Sequence, residues 1–156
     1  MDKWFNRAGN VALVALLITA GLKLYQGTQV TTPGAEDSVQ RGDDLAADGL
    51  NITEKTILVV TRSTCGFCTQ SMPFYRTLAA SRVPIIGLAA EDLETNRRYF
   101  AQYEVPVTRV VDLRSTGLRF SSTPTLLVVD AKRKVLGYWR GALDAKGEAE
   151  VMAAIQ

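Results

Sequence analysis

The chain is 156 residues long and carries a net charge of +2, two cysteines and no histidine. This length holds one domain with a real core but not two, and the scattered, nearly balanced charges leave no nucleic-acid footprint, so no nucleic-acid partner is expected. Without an imidazole, Ser-His-Asp and Cys-His catalysis are excluded, and two cysteines cannot close a four-ligand zinc site within one chain, so no metal is expected.

The N-terminus reads as a membrane-targeting segment. Lys3 and Arg7 precede an apolar run, Val11 to Ile18, that continues to Leu22 with Lys23 and Tyr25 behind it. A helix from Ala8 to Tyr25 would extend about 27 Å, just enough to cross a hydrocarbon core if Lys23 snorkels. We therefore expect residues 1–25 to be a single-pass anchor with the N-terminus cytoplasmic. The alternative is a signal peptide cleaved near Thr19-Ala20-Gly21, giving a secreted product. Residues 26–55 turn to Gly, Pro, Thr, Asp and Glu, with few large apolar side chains, and read as a flexible polar tether spanning about 30 Å. The domain proper is then 56–156.

That domain opens on a β-branched run, Thr56 to Thr61, which reads as a buried strand. Directly after it stands Cys65-Gly66-Phe67-Cys68. Cysteines at i and i+3 on the first turn of a helix, here Cys65–Ala80, lie on one face and close enough to form a disulfide. The free N–H groups and dipole at a helix N-terminus stabilise an anion, which makes Cys65 the candidate nucleophile and Cys68 the candidate resolving thiol. A purely structural bridge is the plainer alternative, but so short a loop removes little unfolded-state entropy. Arg62, just upstream, is a candidate support for the Cys65 thiolate, or else a solvated surface charge.

Beyond the helix, Val83–Ala89 reads as a second strand. Asp92–Glu104 reads as a helix with Tyr99, Phe100 and Tyr103 inward, and Val107–Leu113 as a further strand. Thr125–Asp130 and Val135–Trp139 form two strands joined by a basic turn, Lys132-Arg133-Lys134, which should be solvated. Asp144 can cap a last helix burying Val151, Met152 and Ile155. Strand and helix units followed by a hairpin and a helix give an α/β domain with a mixed central sheet flanked by helices, preceded by the transmembrane helix.

Taken together, these residues resemble the thioredoxin superfamily, over roughly Thr56 to Ile155. The resemblance rests on Cys65-Gly66-Phe67-Cys68, on Pro73 five residues after Cys68, on Ser122-Thr123-Pro124-Thr125 as a cis-proline loop, and on Gly141-Ala142-Leu143 before the last helix. Extra chain around Val105 to Asp112, with the anchor and tether, is similar to the membrane-tethered TlpA-type redoxins of cell envelopes. The resemblance implies a thioredoxin-like fold with a cis Pro124 beside the dithiol, and a Thr123 backbone that pairs with an extended client segment. It also departs from the pattern. Thr64 replaces a usual Trp and Phe67 a common Pro, Val59 stands in place of a buried Asp, and Ser71 in place of a Glu found in some envelope reductases. No obvious carboxylate therefore serves as base for Cys68.

The expected function is an envelope thiol–disulfide oxidoreductase that reduces protein clients and is itself reduced by a membrane electron donor, with Cys65–Cys68 as its redox-active disulfide and no other cofactor. A disulfide oxidase or isomerase is the alternative within this chemistry. A membrane-tethered, non-catalytic assembly factor on the same scaffold is the alternative outside it.

Overall fold

The computed structural model describes residues 36–156. The expected anchor, 1–25, and the first part of the expected tether lie outside these residues. Among the described residues, no helix is long and apolar enough to cross a membrane.

The core is a five-stranded sheet in the order β3-β2-β1-β4-β5, with strands Thr56–Thr61 (β1), Ile85–Ala89 (β2), Arg109–Asp112 (β3), Thr125–Val129 (β4) and Val135–Arg140 (β5). β1 to β3 run parallel; β4 is antiparallel to β1, and β5 to β4. β1 is central and buried along its whole length, as a β-branched run covered on both faces should be. Its side chains alternate. Ile57 and Val59 point into one core, Leu58 and Val60 into the other.

Three α-helices, Gly66–Ala79 (α1), Leu93–Gln102 (α2) and Ala145–Ile155 (α3), contribute to the first core through Met72, Phe74 and Leu78, Tyr99 and Phe100, and Val151 and Ile155. α3 starts at the expected cap, Asp144, which accepts from the Gly147 N–H at 2.8 Å; α2 starts one residue later than expected, because Asp92 caps it by accepting from the Thr95 N–H at 2.9 Å. Gly87 in β2 lets the Phe100 ring lie on the sheet, since a Cβ there would stand 2.6 Å from the ring. β3 is shorter than expected. The chain leaves the sheet at Asp112, whose carboxylate takes the Arg114 N–H at 2.9 Å and opens a 3-10 turn, Leu113–Thr116.

The second core contains no residue from an α-helix. It is closed by Val39, Leu45, Ala47, Leu50 and Ile52, together with Leu118. This corrects the reading of 36–55 as free tether: these residues form part of the folded unit. Their apolar side chains are few and follow neither helical nor strand period, yet they pack on the sheet face that carries Leu58, Val60, Leu88 and Leu127, a face that no α-helix covers. The basic turn is corrected in part. Lys132 and Lys134 are exposed as expected, Lys134 beside Asp44 at 3.4 Å, but Arg133 is half-buried and its guanidinium donates to Leu45 O at 2.9 Å and to Ala47 O at 2.6 Å.

Candidate active site

β1 ends at Thr61, and a tight turn, closed by the Cys65 N–H on Arg62 O at 3.1 Å, leads into α1. Cys65 is the N-cap of that helix. Its sulfur accepts the Cys68 N–H at 3.2 Å, the bond a Ser or Asp oxygen usually takes at this position. The first turn of α1 contains no acidic residue, so the positive end of the helix dipole is left to the sulfur.

On the opposite side lies the loop before β4. The Thr123–Pro124 peptide bond is cis, and the Cys65 thiol donates to Thr123 O at 3.3 Å. Pro124 O in turn accepts the Gly141 N–H at 2.8 Å, which ties the loop to the turn before α3. Gly141 adopts φ +78, a conformation that disfavours any side chain.

The two thiols are electrostatically opposed. Burial pushes the Cys65 thiol up, but hydrogen bonds with the Cys68 and Thr123 side chains and the backbone of Cys68 and Phe67 outweigh it and hold Cys65 below the ordinary cysteine value. Cys68 is fully buried, and burial followed by its hydrogen bond to Cys65 pushes it up to about 12. Neutral phenols stand near it. Burial raises both Tyr75 and Tyr99, Tyr99 to about 12, and the Tyr99 hydroxyl is hydrogen-bonded with that of Thr69 at 3.0 Å. Among the described residues, no carboxylate is hydrogen-bonded to Cys68, and none is a main cause of its shift. The result is one accessible, easily ionised sulfur and one proton-retaining sulfur behind it, the division of labour needed for thiol–disulfide exchange.

Of the residues expected from sequence, Cys65, Cys68, Thr123 and Pro124 come together in space. Gly66 and Phe67 lie between the two cysteines at the start of α1, and Phe67, 65% exposed, is the one exposed large apolar side chain among the described residues. Arg62 does not join them through its side chain. Its Nε donates to Ala90 O at 3.2 Å, so its contribution to the site is its carbonyl, not its charge.

Sequence reading missed a polar cluster beneath the turn. Glu91 accepts the Ser63 N–H at 2.6 Å and the Ser63 hydroxyl at 2.7 Å. Asn96, completely buried in α2, donates to Glu91 at 2.9 Å and to Thr61 O at 3.2 Å. The available signal was Asn96 itself, an amide three residues before Tyr99 on the face of α2 that enters the core.

No family model matches the chain, and no curated protein matches it. Solved structures do. A candidate thiol:disulfide interchange protein DsbE from Chlorobium tepidum is 22% identical with a TM-score of 0.59, over 76% of this chain and 100% of that one. A thio-disulfide isomerase from Thermus thermophilus is 17% identical with a TM-score of 0.58, over 75% and 97%. The peroxidoxin BcpB from Mycobacterium tuberculosis is 15% identical with a TM-score of 0.57, over 75% and 96%. What the chain shares with all three is the thioredoxin-like fold.

Proposed function

We propose that the protein is a thiol–disulfide oxidoreductase of the cell envelope that reduces disulfides in protein clients. The observation that carries this reading is the pairing, beside a cis-proline loop, of a Cys65 held below its ordinary pKa with a buried Cys68 held far above it. The Cys65 thiolate attacks one sulfur of a client disulfide, and the other client sulfur leaves as a thiolate and takes up a proton. Cys68 then attacks the Cys65 sulfur of the mixed disulfide. The second client sulfur departs, and with no carboxylate hydrogen-bonded to Cys68 it is the acceptor for the Cys68 proton. The client gains two electrons, the Cys65–Cys68 disulfide forms, and a membrane thiol donor returns the electrons. The Thr123 backbone, beside Pro124 at the start of β4, pairs with the extended client segment.

Cys68→Ser should therefore accumulate client-linked mixed disulfides, visible on non-reducing gels, and Cys65→Ser should not; equal absence in both variants overturns the mechanism. The direction is read from the reduction potential. A value near that of thioredoxin, about −270 mV, supports a reductase, and a much higher value an oxidase.

The envelope location follows from the apolar run behind Lys3 and Arg7. A reporter fused after Ile155 should be exported and the full-length chain should fractionate with membranes. A cytoplasmic reporter overturns the location, and a shortened soluble product replaces the anchor with a cleaved signal.

A further inference from the structure

The turn between β1 and Cys65 is held from below by a side chain that does not touch the dithiol. A trans peptide is planar, with its N–H and C=O directed oppositely. In the unit joining Arg62 to Ser63, the N–H is bound by Glu91 at 2.6 Å and the C=O receives the Cys65 N–H at 3.1 Å. One carboxylate thus sets the orientation of the carbonyl that holds the helix-capping cysteine. Glu91 also takes the Ser63 hydroxyl at 2.7 Å on its second oxygen, so both of its oxygens are committed to the turn.

Glu91 is held in place as well. Asn96 donates to its first oxygen at 2.9 Å, and that same amide nitrogen donates to Thr61 O at 3.2 Å and to the Thr61 hydroxyl at 3.1 Å. Thr61 ends β1, while Glu91 and Asn96 lie in the junction and helix that follow β2. The Ala90 N–H on Thr61 O at 3.0 Å and the Arg62 side chain on Ala90 O at 3.2 Å join the same two junctions. The carboxyl ends of two adjacent parallel strands are thereby fastened to each other directly under the nucleophile. Hydrogen bonds to a charged group are the strong members of their class.

We propose that Glu91 is the positioning residue of the dithiol, fixing the Arg62–Ser63 peptide so that the Cys65 sulfur stays against the Cys68 N–H and the Thr123 carbonyl. Its part is reach and geometry. A negative charge alone, placed near Cys65, would oppose formation of the thiolate.

Two substitutions separate reach from charge. Gln is nearly isosteric: its oxygen can accept from Ser63 and Asn96, and its amide can donate to the Ser63 hydroxyl. Asp keeps the charge but is one methylene too short to span both partners. The measurement is the rate of Cys65 alkylation by iodoacetamide against pH in the reduced full-length protein, with circular dichroism as the check on folding. Glu91→Gln should keep a profile within about twofold of the parent, and Glu91→Asp should slow alkylation at pH 7 by about tenfold, equivalent to one pKa unit. Glu91→Ala, where it folds, should behave like Asp.

The proposal is overturned if folded Glu91→Asp matches the parent, or if Gln, Asp and Ala order by charge instead of reach. It rests on the redox reading for its purpose but not for its test. A parent protein that reduces no client disulfide defeats that reading and leaves the alkylation profiles to decide the role of Glu91.

Discussion

At Cys65 and Cys68, the hydrogen bonds gathered on one sulfur and a difference in burial assign two identical side chains opposite roles. At neutral pH the reduced protein should take one equivalent of iodoacetamide, on Cys65, as read by peptide mass spectrometry, and Cys68 should be labelled only as the solution becomes strongly alkaline; first labelling of Cys68 contradicts the assignment. The same shifts act on stability. Cys68 ionises in the unfolded chain near its ordinary value of 9.0 but keeps its proton to about 12 when folded, so its contribution is whole below pH 9 and is lost as pH rises between the two values. Tyr99 acts likewise from an ordinary value of 10.0 to about 12. The interval between pH 9 and 10 is therefore the signature of Cys68: urea denaturation of the reduced parent should lose stability there, and Cys68→Ser should flatten the loss. The motif residues were legible because their spacing is itself the chemistry. The placement of Arg62 was not, because the acceptor of its side chain, Ala90 O, lies 28 residues away along the chain.

Among the elements, strands and helices were read nearly in full because each carries its own period, and Asp144 marks the start of α3. The connections were harder to read, and they hold the site. Gly141 joins β5 to α3 with φ +78 and gives its N–H to Pro124 O at 2.8 Å, while a Cβ added to it would meet no atom within 4 Å. The penalty of Gly141→Ala is therefore conformational alone, about 1–2 kcal/mol. Chemical denaturation should register that loss, and an unchanged midpoint would show that the turn relaxes freely. Gly87 differs, because its Cβ would meet a ring in the core. Gly87→Ala should cost about 1–3 kcal/mol by displacing Phe100 and with it the helix that carries Asn96.

For the molecule as a whole, the decisive segment is the one that looked least like structure. Residues 36–55 have no period to read, and what binds them is distant: the Arg133 guanidinium on Leu45 O and Ala47 O, and the Asp37 carboxylate, which accepts from Tyr138 and Ser121 and pairs with Arg140. A fragment starting at Thr56 loses Val39, Leu45, Leu50 and Ile52 from the second core. At about 1.5–3 kcal/mol for each fully buried side chain, that loss rivals the whole stability of a small domain. Residues 36–156 should give a cooperative thermal transition and 56–156 should not; a sharp transition in the shorter fragment would refute the structural role of the segment. The arrangement also sets an order of events during synthesis. The first of the described residues to be made find their partners 81 to 101 positions later, in the stretch before β4 and in β5 itself. Until the final hairpin exists, the segment that covers Leu58, Val60 and Leu88 lacks the partners that fasten it, and contacts of such sequence separation form slowly. The nascent chain must therefore carry these apolar side chains without a fixed cover through most of its elongation. Its need for a holding chaperone should end abruptly once Tyr138 has emerged.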